Sequence, residues 1–147
     1  QTPAAIYKQL HDYRTGARVH PQMTPVVQQL MIPDLAHVAA YFGRQSGAYA
    51  GLGRRGQAAD PHIERLANEG DPARRIPGCN SCHVNGAGGP IETPILTGQH
   101  HLYLEAQLRA YKTEQRRNDV YRRMRNIADD LTDEEIAALG RYYQGVL

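Results

Sequence analysis

The chain of 147 residues has no tryptophan, one phenylalanine and only two cysteines. With two cysteines there is no second pair to complete a Cys-rich zinc site. No apolar run approaches the roughly 20 residues that a membrane-spanning helix needs, so the sequence encodes no span. Seventeen Lys and Arg face fifteen Asp and Glu, a balance that lacks the strong basic excess expected of a nucleic-acid binder. No signal segment is visible, and Gln1-Thr2-Pro3 is read as a mature end left after one is removed. Apolar residues make up 41% of the chain, including nine tyrosines. That is lean but sufficient for one core, or for two small lobes sharing an interface.

What the sequence does contain is Cys79-Asn80-Ser81-Cys82-His83. Two cysteines separated by two residues and followed at once by histidine form the attachment pattern of c-type haem. One short turn presents both thiols to the two vinyl groups, and the imidazole of His83 then lies under the iron as proximal ligand. A zinc half-site lacks its other ligands. A thiol-disulfide motif belongs in a βαβ context, and no convincing strand is legible nearby. With both cysteines in thioethers no disulfide remains, and the haem itself supplies apolar bulk to the core.

The rest of the chain reads as all-α. Thr2-Pro3 caps a helix over residues 3–15 that Gly16 stops, with Ile6, Leu10 and Tyr13 at helical spacing. Pro25 opens a short helix carrying Val26, Val27 and Leu30. Pro33-Asp34 starts another, with Leu35, Val38, Ala39 and Phe42 on one face. Gly47, Gly51, Gly53 and Gly56 punctuate a linker. Asp60-Pro61 caps a fourth helix ended by Gly70, and Gly86-Ala87-Gly88-Gly89-Pro90 forms a loop after the haem motif. A helix follows over residues 99–114, then an arginine-rich loop leading to Met124. Thr132-Asp133-Glu134-Glu135 is the capping box of the last helix, whose inner face is Ile136, Leu139, Tyr142 and Tyr143.

The chain repeats itself. Gln9-Leu10 and Tyr13-Arg14-Thr15 match Gln107-Leu108 and Tyr111-Lys112-Thr113 at constant offset. After a three-residue difference in loop length, Met23, Val26 and Leu30 match Met124, Ile127 and Leu131. Leu35, Val38, Tyr41 and Phe42 then match Ile136, Leu139, Tyr142 and Tyr143. Residues 4–46 thus read as the back half of a unit whose full copy spans 60–147, without its haem-binding front half.

A c-type electron carrier needs a sixth ligand that stays bound, and a methionine thioether opposite histidine raises the reduction potential. Met124 follows the motif in the same lobe, in a loop between two helices, and is the expected ligand. Met31 lies in an apolar helix pattern and reads as core, and Met23 as a relic or packing residue of the haemless copy. His100 and His101 compete as ligands but read as surface or supporting residues. The other ring nitrogen of His83 needs a partner to fix its tautomer. A backbone carbonyl in the following loop is expected, with Pro94 favoured over Pro90 as the rigid turn.

On these residues a resemblance rests. Residues 60–147 resemble a class I cytochrome c domain, most closely the repeat unit of the di-haem cytochrome c4 family. It is carried by Gly70-Asp71-Pro72-Ala73-Arg74, Ile76-Pro77-Gly78-Cys79, Cys82-His83 and Pro94-Ile95-Leu96-Thr97-Gly98-Gln99. It continues through Tyr103-Leu104, Gln107-Leu108, Arg117-Asn118-Asp119 and Met124-Arg125-Asn126-Ile127-Ala128. The resemblance implies a His83/Met124 low-spin haem in a periplasmic electron-transfer domain, with Pro94 at the proximal loop. Residues 4–46 resemble the rear of that family's first domain. The chain departs from the family by encoding one attachment site instead of two, and by placing Val84 where glycine is common.

The expected organisation is a haemless partial lobe over 1–46, a linker over 47–59 and a mono-haem domain over 60–147. The expected function is periplasmic single-electron transfer through one covalently bound haem c, with no substrate chemistry. The alternative keeps the haem but makes the chain the cytochrome subunit of a dehydrogenase, such as a flavoprotein, docked through the N-terminal lobe. A weaker third reading is a peroxidase-like haem from which Met124 is displaced. Redox proteins are the expected partners. Arg116, Arg117, Arg122, Arg123 and Arg125 bracket Met124 and read either as solvated charge or propionate compensation, or as a basic rim steering an acidic partner.

Overall fold

The computed structural model describes residues 1–45, 60–84 and 89–145. The 47–59 linker and the Gly86–Gly88 part of the glycine loop lie outside the described residues. Helix α1 runs Pro3–Thr15, with the Thr2 hydroxyl accepting from the Ala5 amide at 3.1 Å and Gly16 closing it in the left-handed region. Helices α2 (Met23–Gln28) and α3 (Ile32–Gly43) fold back on it. Their shared core is Leu10, Tyr13, Val27 and Leu35.

The second set of helices is α4 (Pro61–Asn68), α5 (Asn80–His83), α6 (His101–Lys112), α7 (Arg123–Asp130) and α8 (Asp133–Gly145). Ile63, Leu66, Ile76, Leu104, Leu131, Ile136, Leu139 and Tyr143 form its core, on which Cys79 packs. The pairing of α1 with α3 and α2 is repeated by that of α6 with α8 and α7, as the sequence matches require. The Thr132–Glu135 capping box forms, with the Glu135 amide donating to Thr132 Oγ1 at 3.2 Å and the Thr132 amide to Glu135 Oε2 at 2.9 Å.

The all-α class holds, with one addition and three corrections. Gly70–Asp71 (β1) pairs antiparallel with Ile76–Pro77 (β2) just before the haem motif, where no strand was legible. Two residues per strand are too few to show alternation in sequence. The pair turns through a short 3₁₀ segment, Pro72–Arg74, capped by Asp71. Gly70 has a φ of +83° with Ile76 O against the position of a side chain, so only glycine fits there. Met31 is not core: it sits at the N-cap of α3 and is 67% exposed. Phe42 is likewise 57% exposed, whereas its counterpart Tyr143 is buried, because among the described residues α3 has nothing equivalent to β2 and Cys79 against that face. Met124 lies in the first turn of α7, not in the loop before it.

Candidate haem site

The Cys-x-x-Cys-His segment is placed by contacts on both sides. Gly78 passes so close to α4 that an added Cβ would lie 2.3 Å from Asn68 O. Asn80 donates to Asn68 Oδ1 at 2.7 Å and accepts from the buried Tyr143 hydroxyl at 2.8 Å. Ahead of the motif, Arg74 bridges Asp71 and Glu135, holding the 3₁₀ turn against α8. After it, the Leu96 amide donates to His83 O and the Gly98 amide to Tyr143 O. The loop is also pinned by Gln1, whose side-chain amide pairs in both directions with the backbone of Ile95.

His83 Nδ1 lies 2.7 Å from the Pro94 carbonyl oxygen. A carbonyl can only accept, so Nδ1 carries the proton and Nε2 keeps its lone pair. Burial pushes the His83 pKa down, against a smaller opposing effect of the Pro94 bond, which favours the neutral ring that binds metals. Burial also raises the Cys79 thiol. Cys79 and Cys82 are not joined to each other in a disulfide. Val84 adopts an extended conformation with φ −91°, so that position has no need of glycine.

Cys79, Cys82, His83 and Met124 all line one cavity of about 490 Å³. Pro94 and Leu96 line it too, together with Leu104, Leu108, Ile127 and Leu139. A space of this size, walled mainly by aliphatic side chains, suits a large flat apolar group. Two thiols and a neutral imidazole are the donor set that covalent haem requires. The residues present therefore fit haem c. Met23 lines the same cavity from α2, while His100 and His101 are not among its lining residues. Their rings stack at 5.2 Å, and His101 Nδ1 lies 3.2 Å from Glu105.

Of the five arginines that bracket Met124, four bond within the chain, and Arg123 is exposed. Arg117 and Arg122 both pair with Glu114, and Arg125 pairs with the nearly buried Asp119. Arg116 turns inward. It donates to Gln107 Oε1 at 2.8 Å and to Gln9 Oε1 at 2.9 Å, while Arg18 donates to the same two oxygens at 2.7 Å each. Arg18 stacks over Tyr13 and Arg116 over Tyr111, at 4.8 and 4.5 Å from the ring centroids. All three residue pairs are separated by 98 positions, so the two sets of helices meet across an approximate two-fold axis. The constant offset read from Gln9 to Thr15, carried three positions further, pairs Arg18 with Arg116.

The protein-family model of cytochrome c matches residues 73–146. The chain is 38% identical over 141 residues to the thiosulfate dehydrogenase electron acceptor of Stutzerimonas stutzeri (strain A1501), covering 95% of this chain and 65% of that protein, just under two thirds of its length. It is 35% identical over 153 residues to cytochrome c4 of Thiocapsa roseopersicina, covering 99% of this chain and 76% of the relative. Reduced recombinant cytochrome c4 from Pseudomonas stutzeri superposes with a TM-score of 0.82 at 30% identity, over 99% of this chain and 82% of that one. The chain belongs to the cytochrome c family of electron carriers, among the members that resemble cytochrome c4.

Proposed function

We propose that the chain is a periplasmic mono-haem carrier, in which Cys79 and Cys82 hold haem c through thioethers while His83 and Met124 are its axial ligands. The observation that carries this reading is the convergence of those four side chains on one apolar cavity, with His83 Nδ1 already engaged by Pro94. When bound, the haem supplies a one-electron iron couple. His83 offers Nε2 in a fixed orientation, because the Pro94 carbonyl and burial hold its tautomer. Met124 offers a soft neutral sulfur from the start of α7. Leu96, Leu104 and Ile127 give the cavity an apolar wall, and with His83 and Met124 both on the iron no coordination position would be left for a substrate.

Intact mass of the purified protein should show the chain plus one haem, and its spectrum a methionine-to-iron charge-transfer band with little carbon monoxide binding. A colourless protein with both thiols open to alkylation would defeat the reading.

The relative named as a thiosulfate dehydrogenase electron acceptor favours a dehydrogenase as electron donor, with the N-terminal lobe as its docking surface. Mixing the oxidised protein with a thiosulfate dehydrogenase and thiosulfate should reduce it within a single catalytic cycle. No reduction at micromolar enzyme would count against this donor.

A further inference from the structure

The Pro94 carbonyl that accepts from His83 Nδ1 and the Ile95 amide that donates to Gln1 are the two ends of one peptide group. Resonance across its C–N bond couples those ends. A continuous series of hydrogen bonds therefore joins Gln1 to His83. The Ile95 amide donates to Gln1 Oε1 at 3.0 Å, and Pro94 O lies 2.7 Å from His83 Nδ1. Gln1 Nε2 donates to Ile95 O at 2.6 Å, which keeps the side-chain carbonyl turned to the Ile95 amide.

Gln1 is fixed from its own side as well. It directly precedes Thr2, whose hydroxyl caps α1 and whose carbonyl accepts from the Ile6 amide at 3.1 Å. Its half-buried side chain lines the haem cavity. Gln99 stands 98 positions on, at the same place before the cap of α6. There Oε1 accepts from the adjacent His100 amide at 2.9 Å. Reaching across to Ile95 is thus not the default of a glutamine ahead of such a helix. The other bonds of the loop place its flanks, with the Thr93 amide donating to Pro90 O at 2.8 Å and the Leu96 amide to His83 O at 3.4 Å.

A peptide group that donates its N–H carries more negative charge on its oxygen, and bonds in series strengthen one another by about 10–30% each in a low-dielectric interior. A better acceptor at Pro94 O draws on the Nδ1 proton of His83 and enriches Nε2 as a donor to metal. An electron-rich imidazole favours ferric iron over ferrous.

We infer that Gln1 is a positioning residue for electron transfer: through the Pro94–Ile95 peptide group it strengthens His83 as an axial ligand and lowers the reduction potential. The inference rests on the haem-carrier reading above.

The test is redox potentiometry at pH 7 of the haem-loaded full chain carrying Gln1→Met or Gln1→Glu. Methionine keeps the length of the side chain and loses both amide bonds. Glutamate loses the donor to Ile95 O but keeps an oxygen for the Ile95 amide, and its charge makes it the stronger acceptor. Gln1→Met should raise the reduced-to-oxidised ratio at fixed potential about threefold, ~28 mV at 59 mV per tenfold for one electron. It should also move the His83 Nδ1 proton resonance of the reduced protein upfield. Gln1→Glu should leave the ratio unchanged or lower it. A clamp that only held the loop would move both variants the same way, since each breaks a bond to Ile95. The inference is overturned if Gln1→Met raises the ratio less than twofold, if the proton resonance stays in place, or if Gln1→Glu raises the ratio as far. Should neither variant load haem, the reduced unmodified protein decides. Labelled with ¹⁵N and ¹³C, it should show a coupling across the hydrogen bond from the Ile95 amide nitrogen to the Gln1 side-chain carbonyl, and its absence would overturn the inference. If the unmodified protein lacks covalent haem or the methionine band, it is the carrier reading that fails.

Discussion

Arg74 closes on Glu135 with both terminal nitrogens, Nη2 to Oε1 at 2.7 Å and Nη1 to Oε2 at 2.9 Å. The same carboxylate accepts from the Thr132 amide and meets His62 Nε2 at 2.9 Å. One residue of the last helix thereby fastens α4, the 3₁₀ turn before the haem motif and its own N-terminus. The Arg74 hydrogen bonds, aided by those of Thr132 and His62, hold the Glu135 pKa at about 2, below its ordinary 4.5. A carboxylate depressed in this way stabilises the fold fully above the unfolded value. Its contribution drains away as pH falls from about 4.5 towards 2. Glu135→Gln should cost about 2 kcal/mol at pH 7, read from chemical denaturation, and the gap to the unmodified protein should close by pH 2. A gap independent of pH would show that packing, and not the charge, is responsible.

How much of this was legible in sequence depended on whether the signal was local. Thr2-Pro3 with Gly16, and Thr132 with Glu135, announce helix ends through bonds made within a few residues, and those ends fall where expected. Met31 and Phe42 were misread because an apolar stripe says which face can be buried, not whether anything covers it. Arg74 and Glu135 lie 61 residues apart, and nothing in either neighbourhood marks them as partners. The Arg18–Arg116 pairing was written in the repeat but needed the offset followed past the end of the helix. Met124 lines the cavity with His83, but its setting was not legible, since the Arg123 helix start follows a non-glycine left-handed turn at Tyr121 and Arg122.

Met124 and Met23 line one cavity from equivalent helices, α7 and α2, yet only Met124 belongs to the set of helices that carries the haem motif. Met124→Leu keeps volume and removes the sulfur. It should abolish the methionine-to-iron band, lower the potential and admit carbon monoxide to the reduced protein. Met23→Leu and Met31→Leu should leave the spectrum unchanged. Loss of the band in Met23→Leu would reassign the ligand.

Gly78 offers a test of how tightly the haem motif is seated on α4. An alanine Cβ there would meet Asn68 O at 2.3 Å and Asn68 C at 2.7 Å, both backbone atoms that cannot swing aside. Gly78→Ala should therefore separate the motif from α4 and cost about 2 kcal/mol, with lower haem content per purified chain. Thermal melting and the haem-to-protein absorbance ratio would show this. Unchanged values in both would mean that the motif has more freedom than its contacts suggest.

The turn that delivers Met124 stores strain, and besides the exposed Arg122–Glu114 pair it is held by the buried pair of Asp119 with Arg125. Tyr121 and Arg122 have φ values of 54° and 58°, a conformation that costs a non-glycine residue about 1–2 kcal/mol. Opposing it, Asp119 accepts from the Arg125 backbone amide at 3.0 Å and from its Nε at 2.7 Å, with the carboxylate almost wholly out of water. Asp119→Ala leaves Arg125 without its partner and should cost about 3 kcal/mol, with the methionine band fading at lower temperature than the haem absorption itself. Tyr121 is 89% exposed, so its side chain has little packing to lose. Tyr121→Gly should raise stability by about 0.5–1 kcal/mol, the reverse of the usual glycine penalty, and should move the fading of the band upward. If both substitutions shift the global melt while the band simply follows it, the turn has no separate hold on Met124 and its strain is incidental to ligation.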